Sequence, residues 1–540
     1  MEKYTSKTID HLGIVAALCD EIGIVETIDG LIAPDKRSKL TVGECTKLMV
    51  INGLGFTSRP LYLEAQFYSS KPIERFLGRS LAVEEITNDV LGRGLDRLFE
   101  ANCEGIFSHI ASRAIDRFKV DTRFRSLDTT SMNVWGEYEE GMGLVAFGYS
   151  KDNRPDLKQF MLSLMSSQDG DVPLLAQTIA GNSSDKKHFR EVLENLQEGI
   201  EQSNALFYYV ADSALYSKET IKGISGKSKW ISRVPESLLA SKQMIREIKK
   251  EQMQEFGEGY YATERKSNYG ETEQRWIIVF SQKGYERSLK TLEREVKKSK
   301  VKAEKELSKL CSSAFGCQED GLKAVEELEK RLAYHQFKEI TVNKEIKMGK
   351  VGRPKSTDVG KEVYKISCQL EESEEKIELA KQSKGKFIIA TNELDATLLS
   401  QEELVNRYKK QQSVERGFRF LKDPLFMTSS VFLKNEQRII ALGMIMCLCL
   451  LVYMLAQRKL RLELEKEKES IPNQKGKPTS IPTMRWIYQL FEGVHILYQS
   501  REEGGGEVKV SEIVLNLTPL RNKILRLLGT PYQKLYQDAA

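Results

Sequence analysis

The sequence lacks a strong excess of charge of either sign. It has 82 Lys and Arg against 77 Asp and Glu, and the net charge of +5 does not by itself indicate a nucleic-acid-binding protein. Any such surface must come from local clustering of basic residues. The 540 residues are 40% hydrophobic, which is enough for a large core divided among about two to four domains.

Paired cysteines and a secretion signal are also missing. None of the eight cysteines forms a CxxC pair, Cys311 and Cys317 are spaced too irregularly for a zinc knuckle, and Cys447 and Cys449 lie in an apolar run. We predict eight reduced, buried or incidental thiols. The N-terminal segment MEKYTSKTIDHLG has no apolar core of the signal-peptide type. These features favour a cytoplasmic protein.

Long apolar runs are absent apart from residues 439–456, IIALGMIMCLCLLVYMLA, which carry no charge. The length makes this segment a candidate membrane span. It is isolated, however, at the lower limit of length, and it directly follows a strongly basic helix. Large α/β enzymes also bury helices that are apolar on all sides. We predict a buried core helix, and a membrane-anchored protein is the alternative.

Residues 1–120 have the pattern of a helical N-terminal domain. Thr41 and Glu44 have the spacing of a capping box at the start of a helix. No recognition-helix motif is clear in this part. DNA binding by this domain is therefore an open hypothesis.

From residue 121 to 235 the pattern changes to α/β. Strand-like runs occur at 124–128, 144–149, 159–164, 206–210 and 230–234. A helix that starts at Ser184 and Asp185 separates the third run from the fourth. Three strands, a helix, a strand, a short helix and a strand is the order of a ribonuclease-H-like core, so we predict the first part of such a catalytic core in this region.

Residues 236–385 are predicted to be an insertion domain, with a β-rich part followed by a helical hairpin at 286–310 and 319–334. The first of these helices is rich in Lys and Arg; a solvated charged face and a DNA-facing surface are both open. The loop segment 352–355, GRPK, weakly resembles a minor-groove hook. The second part of the core is predicted at 386–470, from a strand at 386–391 and a helix at 400–422. A C-terminal tail follows at 471–540, with a helical piece near 520–528.

Two aspartates follow apolar, strand-like runs. Asp128 ends the run 124–128, and Asp212 follows the run 206–210. Functional sites in open α/β folds gather at the carboxyl ends of strands. Carboxylates on neighbouring strand ends can share hard divalent cations such as Mg²⁺. Either residue could instead begin a turn or cap a helix.

Glu415 is the one acidic residue in a basic helical stretch between Val405 and Lys422. The basic residues are Arg407, Lys409, Lys410, Arg416, Arg419 and Lys422. Tyr408, Glu415 and Lys422 are seven residues apart and so lie along one stripe of a helix. Such an isolated carboxylate suggests a metal ligand next to bound phosphate. An ordinary ion pair with Arg416 or Arg419 is the other interpretation.

The segment 408–422, YKKQQSVERGFRFLK, resembles the signature of the insertion-sequence-four superfamily of DDE transposases: Tyr, two residues, Arg, three residues, Glu, six residues, Lys. Tyr408, Glu415 and Lys422 match it, whereas Gln411 stands where the signature has Arg. The segments 126–130, SLDTT, 148–158, GYSKDNRPDLK, and 181–185, GNSSD, resemble the same group. The last two look most like its sixteen-thirty-four family, and Asp212 matches the second catalytic Asp.

The resemblance implies a bacterial DNA transposase with a ribonuclease-H-like core interrupted by an insertion domain. It implies cut-and-paste transposition, with phosphodiester hydrolysis and strand transfer at inverted-repeat ends. Asp128, Asp212 and Glu415 would hold catalytic Mg²⁺, which Mn²⁺ can replace. Tyr408, Lys422, Arg416 and Arg419 would contact DNA.

The partners implied are double-stranded DNA, as transposon ends and target, and a second copy of the chain when assembled on DNA. No membrane partner is expected, and the location would be the bacterial cytoplasm, at the nucleoid. The alternative function is a catalytically inactive, transposase-derived DNA-binding protein. The Gln411 departure leaves room for it.

Overall fold

The computed structural model describes residues 2–35, 38–56, 64–134, 138, 143–149, 154–184, 188, 191–192, 207–224, 226, 228–257, 259–347, 361–422, 435–503 and 506–538. The chain forms two compact units. The first comprises Met1–Ser232 together with Asn406–Ala540, and the second comprises Arg233–Val405.

The N-terminal part of the chain, as far as residue 233, forms mainly helices followed by the first strands of a sheet. In chain order these are β1 (Glu2–Thr8), α1 (Leu12–Ile22), α2 (Ile24–Leu31), α3 (Val42–Gly53), α4 (Glu64–Tyr68), α5 (Ile73–Leu77), α6 (Asn88–Glu100), α7 (Cys103–Phe118), β2 (Phe124–Asn133), β3 (Gln159–Ser167), β4 (Pro173–Ala180), β5 (Tyr208–Ala211), α8 (Lys218–Ile224) and β6 (Lys229–Arg233). A short 3₁₀ helix lies at Val83–Glu85.

The rest of the chain alternates between strands and helices. In chain order these are α9 (Leu239–Glu247), β7 (Gln254–Gly257), β8 (Tyr260–Tyr269), β9 (Thr272–Ser281), α10 (Gln282–Ser312), α11 (Gln318–Arg331), β10 (His335–Lys347), β11 (Lys361–Glu372), α12 (Glu374–Ser383), β12 (Lys386–Thr391), α13 (Gln401–Lys410), α14 (Gln412–Leu421), α15 (Glu436–Lys466), β13 (Ile471–Pro472), β14 (Pro478–Thr479), α16 (Met484–Leu490), β15 (His495–Glu503), β16 (Gly506–Leu515), α17 (Pro519–Leu528) and α18 (Thr530–Lys534). A second 3₁₀ helix lies at Lys250–Gln252.

The apolar helix α15 is the centre of the first unit. It packs against α3, α6, α7 and α17 and against strand β4, so protein surrounds it on several sides. In the described residues α15 is the one helix long and apolar enough to cross a membrane by length and composition, and 94% of its apolar window is buried inside the unit. The prediction of a buried core helix is confirmed.

The N-terminal helices are held by local signals that the sequence carries. Thr41 and Glu44 form the predicted capping box, since the Thr41 hydroxyl accepts from the Glu44 amide at 3.1 Å and the Glu44 carboxylate accepts from the Thr41 amide at 3.0 Å. The first residues were not predicted as a strand. They form β1, which pairs antiparallel with β15.

The predicted C-terminal tail is folded. Strands β15 and β16 pair antiparallel, and Tyr532 and Tyr536 are buried. The guanidinium of Arg75 donates to the Glu512 carboxylate and to the backbone carbonyls of Leu535 and Gln537. The sequence suggested a tail because the Arg75 contacts join residues more than 430 positions apart, which local composition does not reveal.

The strands of the first unit pair in the order β4-β3-β2-β5-β6. The pairs β2–β3 and β3–β4 are antiparallel, whereas β2–β5 and β5–β6 are parallel. This mixed α/β arrangement agrees with the predicted class. Three consecutive strands were expected, but the run 144–149 contributes only a single bridge at Ala146, and β4 is the third strand. Most of the helix predicted after Ser184 lies outside the described residues.

The second unit contains an antiparallel sheet and a helical hairpin. The sheet has the order β12-β9-β8-β7, and α10 and α11 pack on the two-stranded ribbon β10–β11 around Ala303, Val325, Leu328, Phe337 and Ile366. The hairpin is confirmed, whereas the ribbon was not predicted.

The unit Arg233–Val405 extends beyond the predicted insertion 236–385 at both ends. One reason is that β12 pairs along its full length with β9, with Ile388 opposite Ile278. The GRPK segment lies outside the described residues.

Candidate active site

Asp128 lies within strand β2. The strand was predicted to end at this residue, but it continues to Asn133 because β3 pairs with it antiparallel as far as Gln159. The parallel pairing of β2 with β5 ends just before Asp128, and its last pair is Ser126 with Val210. The Asp128 side chain is half-buried, and one of its carboxylate oxygens accepts from the Thr129 amide at 2.7 Å.

Asp212 directly follows β5, as predicted. Its side chain is exposed, and Oδ1 accepts from the amide of Ala214 at 2.8 Å in a tight turn. The hydroxyl of Ser232 donates to the Asp212 carbonyl at 2.7 Å. The second carboxylate oxygen of Asp212 has no hydrogen-bond partner among the described residues. An exposed oxygen of this kind can accept a cation.

The two aspartates occupy equivalent positions on adjacent parallel strands. Each lies two residues beyond the Ser126–Val210 pair that closes the β2–β5 pairing. The parallel pairing therefore brings Asp128 and Asp212 to the same end of two neighbouring strands, although it stops before either residue is paired. The sequence placed both residues, 84 positions apart, at strand ends, but it did not show which residues of the two strands pair.

Glu415 lies on α14, the helix that packs against β2 and α15. The predicted helix 400–422 is divided into α13 and α14 at Gln411, the position that departs from the transposase signature. The buried residues Phe418 and Leu421 fix one side of α14. The side chains of Glu415 and Arg416 lie outside the described residues, so their part in the site stays a prediction.

The other predicted DNA-contacting residues lie on the same two helices. Tyr408 is half-buried near the end of α13. Arg419 is exposed in the last turn of α14, and Lys422, at its C-cap, is half-buried. The four predicted positions therefore lie on α13 and α14 or at the C-cap of α14, and α14 packs against β2.

Gln168 joins this stretch to β2, and sequence reasoning missed it. Its side-chain amide donates to the hydroxyl of Ser126 at 3.0 Å and to the carbonyl of Arg407 at 2.8 Å. Both bonds are at least partly buried, so water competes weakly with them. Gln168 lies in the turn after β3, and nothing in the sequence identified its partners.

An aromatic stack makes a second connection between the same elements. The Arg407 guanidinium lies 3.9 Å from the centre of the Phe124 ring, and Phe124 stacks on Tyr208 with centroids 4.9 Å apart. Phe124 begins β2 and Tyr208 begins β5. The end of α13 is therefore held against both strands that carry the aspartates.

The turn that carries Gln168 is itself anchored. Arg458 of α15 donates to the Asp169 carboxylate at 2.6 Å, and the Asp121 amide donates to the same oxygen at 2.9 Å. Burial alone would raise the pKa of Asp169, but these hydrogen bonds outweigh it and hold the pKa below its usual range. The core helix α15 thus fixes the position of Gln168.

The two glycine-containing segments that resemble the transposase family contact each other. A Cβ on Gly148 would lie 2.0 Å from the carbonyl oxygen of Gly181, and a Cβ on Gly181 would lie 1.9 Å from the carbonyl oxygen of Gln159. The buried Gln159 amide donates to the Gly181 carbonyl at 2.7 Å. Close approach of backbone to backbone requires glycine at both positions.

Within the part of the chain whose side chains are described, no group of three His, Cys, Asp or Glu residues could hold a metal ion. That search includes Asp128 and Asp212 but not the Glu415 side chain. Two carboxylates at one strand edge supply oxygen ligands of the type that Mg²⁺ prefers. A complete three-carboxylate site remains a prediction.

Two family descriptions match this chain. A domain of unknown function (DUF4277) matches residues 4–112, and a transposase DDE domain matches residues 115–452, more than half of the chain. No curated protein matches it. Among solved structures it is similar to a piggyBac transposase synaptic complex with hairpin DNA, at 10% identity over 91% of this chain and 82% of that chain, with a TM-score of 0.35.

Proposed function

Since this chain belongs to the transposase DDE domain family and is therefore an enzyme of DNA transposition, we propose that it moves an insertion sequence by cut-and-paste transposition. Water attacks the phosphodiester at each inverted-repeat end and frees a 3′-hydroxyl. That hydroxyl then attacks a phosphodiester of target DNA, which joins the element to its new site and releases a target 3′-hydroxyl. The specific family proposed is the insertion-sequence-four superfamily, closest to its sixteen-thirty-four family.

The observation that carries this proposal is that Asp128 and Asp212 each lie two residues beyond Ser126–Val210, the last pair of the parallel strands β2 and β5. The strand order, with three antiparallel strands and two parallel ones, supports a ribonuclease-H-like core. The packing of α14 against β2 supports Glu415 as the third acidic residue, because it brings the helix backbone to the strand that bears Asp128.

Asp128, Asp212 and Glu415 would hold Mg²⁺ or Mn²⁺. The bound metal would activate the attacking oxygen and stabilise the leaving oxygen. The exposed, unpartnered oxygen of Asp212 fits this role. Gln168, Arg407 and Phe124 position the helix against the strands.

Tyr408, Lys422, Arg416 and Arg419 would bind the phosphates of the DNA end. Lys and Arg supply charge-assisted hydrogen bonds, and Tyr supplies a hydroxyl donor. Gln411 carries no charge, so the phosphate contact of the signature Arg would fall to Arg407 or Lys410. Arg407 already packs on Phe124, which makes Lys410 the better candidate.

The proposed assembly is a homodimer on two transposon ends, acting in the bacterial cytoplasm at the nucleoid without a membrane partner. Pairing of two ends requires two active sites, which a twofold dimer supplies. Dimerisation that depends on end DNA would be visible by light scattering with and without the duplex.

The test uses a duplex that carries the DNA flanking the coding region. The chain should nick or cut it with Mg²⁺ and not with EDTA. Asp128→Ala, Asp212→Ala and Glu415→Gln should each abolish cleavage while leaving duplex binding largely intact. Tight binding by the wild-type chain without cleavage under any metal condition would instead support the inactive DNA-binding alternative.

A further inference from the structure

The longest helix of the second unit separates its charges by face. Helix α10 carries ten Lys and Arg, all exposed: Lys283, Arg287, Lys290, Arg294, Lys297, Lys298, Lys300, Lys302, Lys305 and Lys309. Its buried side is formed by Leu292, Val296 and Ala303. At about 100° per residue, all of the basic residues except Lys300 fall within an arc of roughly 140° opposite this buried side.

The acidic residues of α10 are excluded from that arc. The five of them, which are Glu286, Glu293, Glu295, Glu304 and Glu306, lie on its two flanks. An ordinary solvated helix face mixes the two signs, because pairs of opposite charge three or four residues apart stabilise the helix. Glu286 and Lys290, like Glu293 and Lys297, are four residues apart, but the basic face of α10, defined as the nine residues of the arc, forms no ion pair with these acids.

The basic face is also unpaired. Among the described residues, none of its side chains forms an ion pair, and Arg287 donates only to the carbonyl of Lys283 at 3.3 Å. The lysines of the adjoining ribbon differ. Lys338, Lys344 and Lys365 pair with Glu371, Glu362 and Glu345 at 2.7, 2.7 and 2.6 Å.

We propose that the basic face of α10 binds the phosphate backbone of double-stranded DNA, independently of sequence. This inference rests on the proposed function for the identity of the partner. From Lys283 to Lys309 the face is about 39 Å long at 1.5 Å per residue, close to one turn of duplex at roughly 34–36 Å. Segregated, unpaired positive charge along that length is complementary to a row of phosphates, whose bound counterions it would release.

The test compares two triple variants of the full chain that remove equal charge from the same unit. Lys290→Gln with Arg294→Gln and Lys298→Gln removes three of the nine charges of the basic face. Lys338→Gln with Lys344→Gln and Lys365→Gln neutralises the paired ribbon lysines. Binding to a duplex of unrelated sequence is measured by fluorescence anisotropy across a salt series, and circular dichroism checks that both variants fold.

The α10 variant should lose affinity at low salt, and the slope of log affinity against log salt should become shallower by about 3, since each phosphate contact contributes roughly 0.9. The ribbon variant should keep the wild-type slope. Equal slopes for the two variants would overturn the proposal. It would also be overturned if polyglutamate bound as strongly as the duplex and lost as much affinity in the α10 variant. Cleavage of end DNA by the wild type is scored separately, so this proposal and the proposed function can fail independently.

Discussion

The side-chain amide of Gln168 donates a hydrogen bond of 2.8 Å to the backbone carbonyl of Arg407, 239 residues further along the chain. The same amide reaches the Ser126 hydroxyl, two residues before Asp128. One neutral side chain therefore links the strand of the first candidate metal ligand to the helical stretch that leads to Glu415. We therefore expect the geometry of the candidate site to depend on Gln168 as a positioning residue.

Loss of this link should weaken catalysis through metal binding. Gln168→Ala should reduce cleavage of end DNA roughly 10- to 100-fold, because small displacements of catalytic groups have effects of that size. The Mg²⁺ concentration for half-maximal cleavage should rise, while duplex affinity stays the same. Gln177→Ala is the matched control, since Gln177 lies on β4 and bonds to Glu104 at 2.8 Å. An unchanged metal requirement in Gln168→Ala would mean that the glutamine is merely structural.

Lys422 should act in binding and not in chemistry. Lys422→Ala should weaken binding to end DNA and make the log–log salt slope shallower by about 1, as expected for one lost phosphate contact. Lys466→Ala is the control, because Lys466 pairs with Glu463 at 3.0 Å on another helix. If Lys422→Ala left affinity and slope unchanged while Glu415→Gln destroyed binding, the two roles would be reversed.

Gly181 should tolerate no side chain. Gly181→Ala places a Cβ against the carbonyl of Gln159, which cannot move without breaking the pairing with Ala146. We expect a loss of about 1–3 kcal/mol in the free energy of unfolding, the usual cost of overpacking. Thermal melting against Gly143→Ala checks this, since a Cβ at Gly143 meets no atom within 4 Å. Equal melting temperatures for the two variants would contradict the tight contact.

Glu64 should make stability fall as pH rises. Burial raises the pKa of Glu64 from 4.5 to about 8, and the Asn52 amide nearby offsets only part of this. Neither carboxylate oxygen has a hydrogen-bond partner among the described residues. Because the pKa is higher in the folded protein, the protonated carboxyl group favours folding. Its contribution to the free energy of unfolding is fully present below pH 4.5 and is lost as pH rises through 8.

Glu64→Gln should remove this dependence. The free energy of unfolding of Glu64→Gln, obtained from melting at each pH, should gain on that of the wild type by about 1.4 kcal/mol per pH unit between pH 5 and pH 8 and level off above that. Glu84→Gln, at an exposed glutamate, should match the wild type at every pH. A constant difference between Glu64→Gln and wild type across this range would show that the pKa of Glu64 is the same in the folded protein and in the unfolded chain.

Local features of the fold followed from the sequence alone. The capping box of Thr41 and Glu44, the hairpin of α10 and α11 and the buried helix α15 were predicted, because hydrophobic period and capping chemistry act within a few turns. The candidate residues Asp128, Asp212 and Glu415 were predicted from residue type, spacing and the resemblance to the transposase signature, and they stay predictions.

Only the tertiary structure decided how these parts meet. The pairing of β2 with β5, which brings Asp128 and Asp212 to neighbouring strands, joins residues 84 positions apart, and the Gln168 link is a contact across 239 positions. The pairing of β1 with β15 and the folded C-terminal segment depend on partners at opposite ends of the chain. Local periodicity determines which residues can be helix or strand, but it contains no information about which distant surface each one will bury, because that choice is made by packing of the whole core.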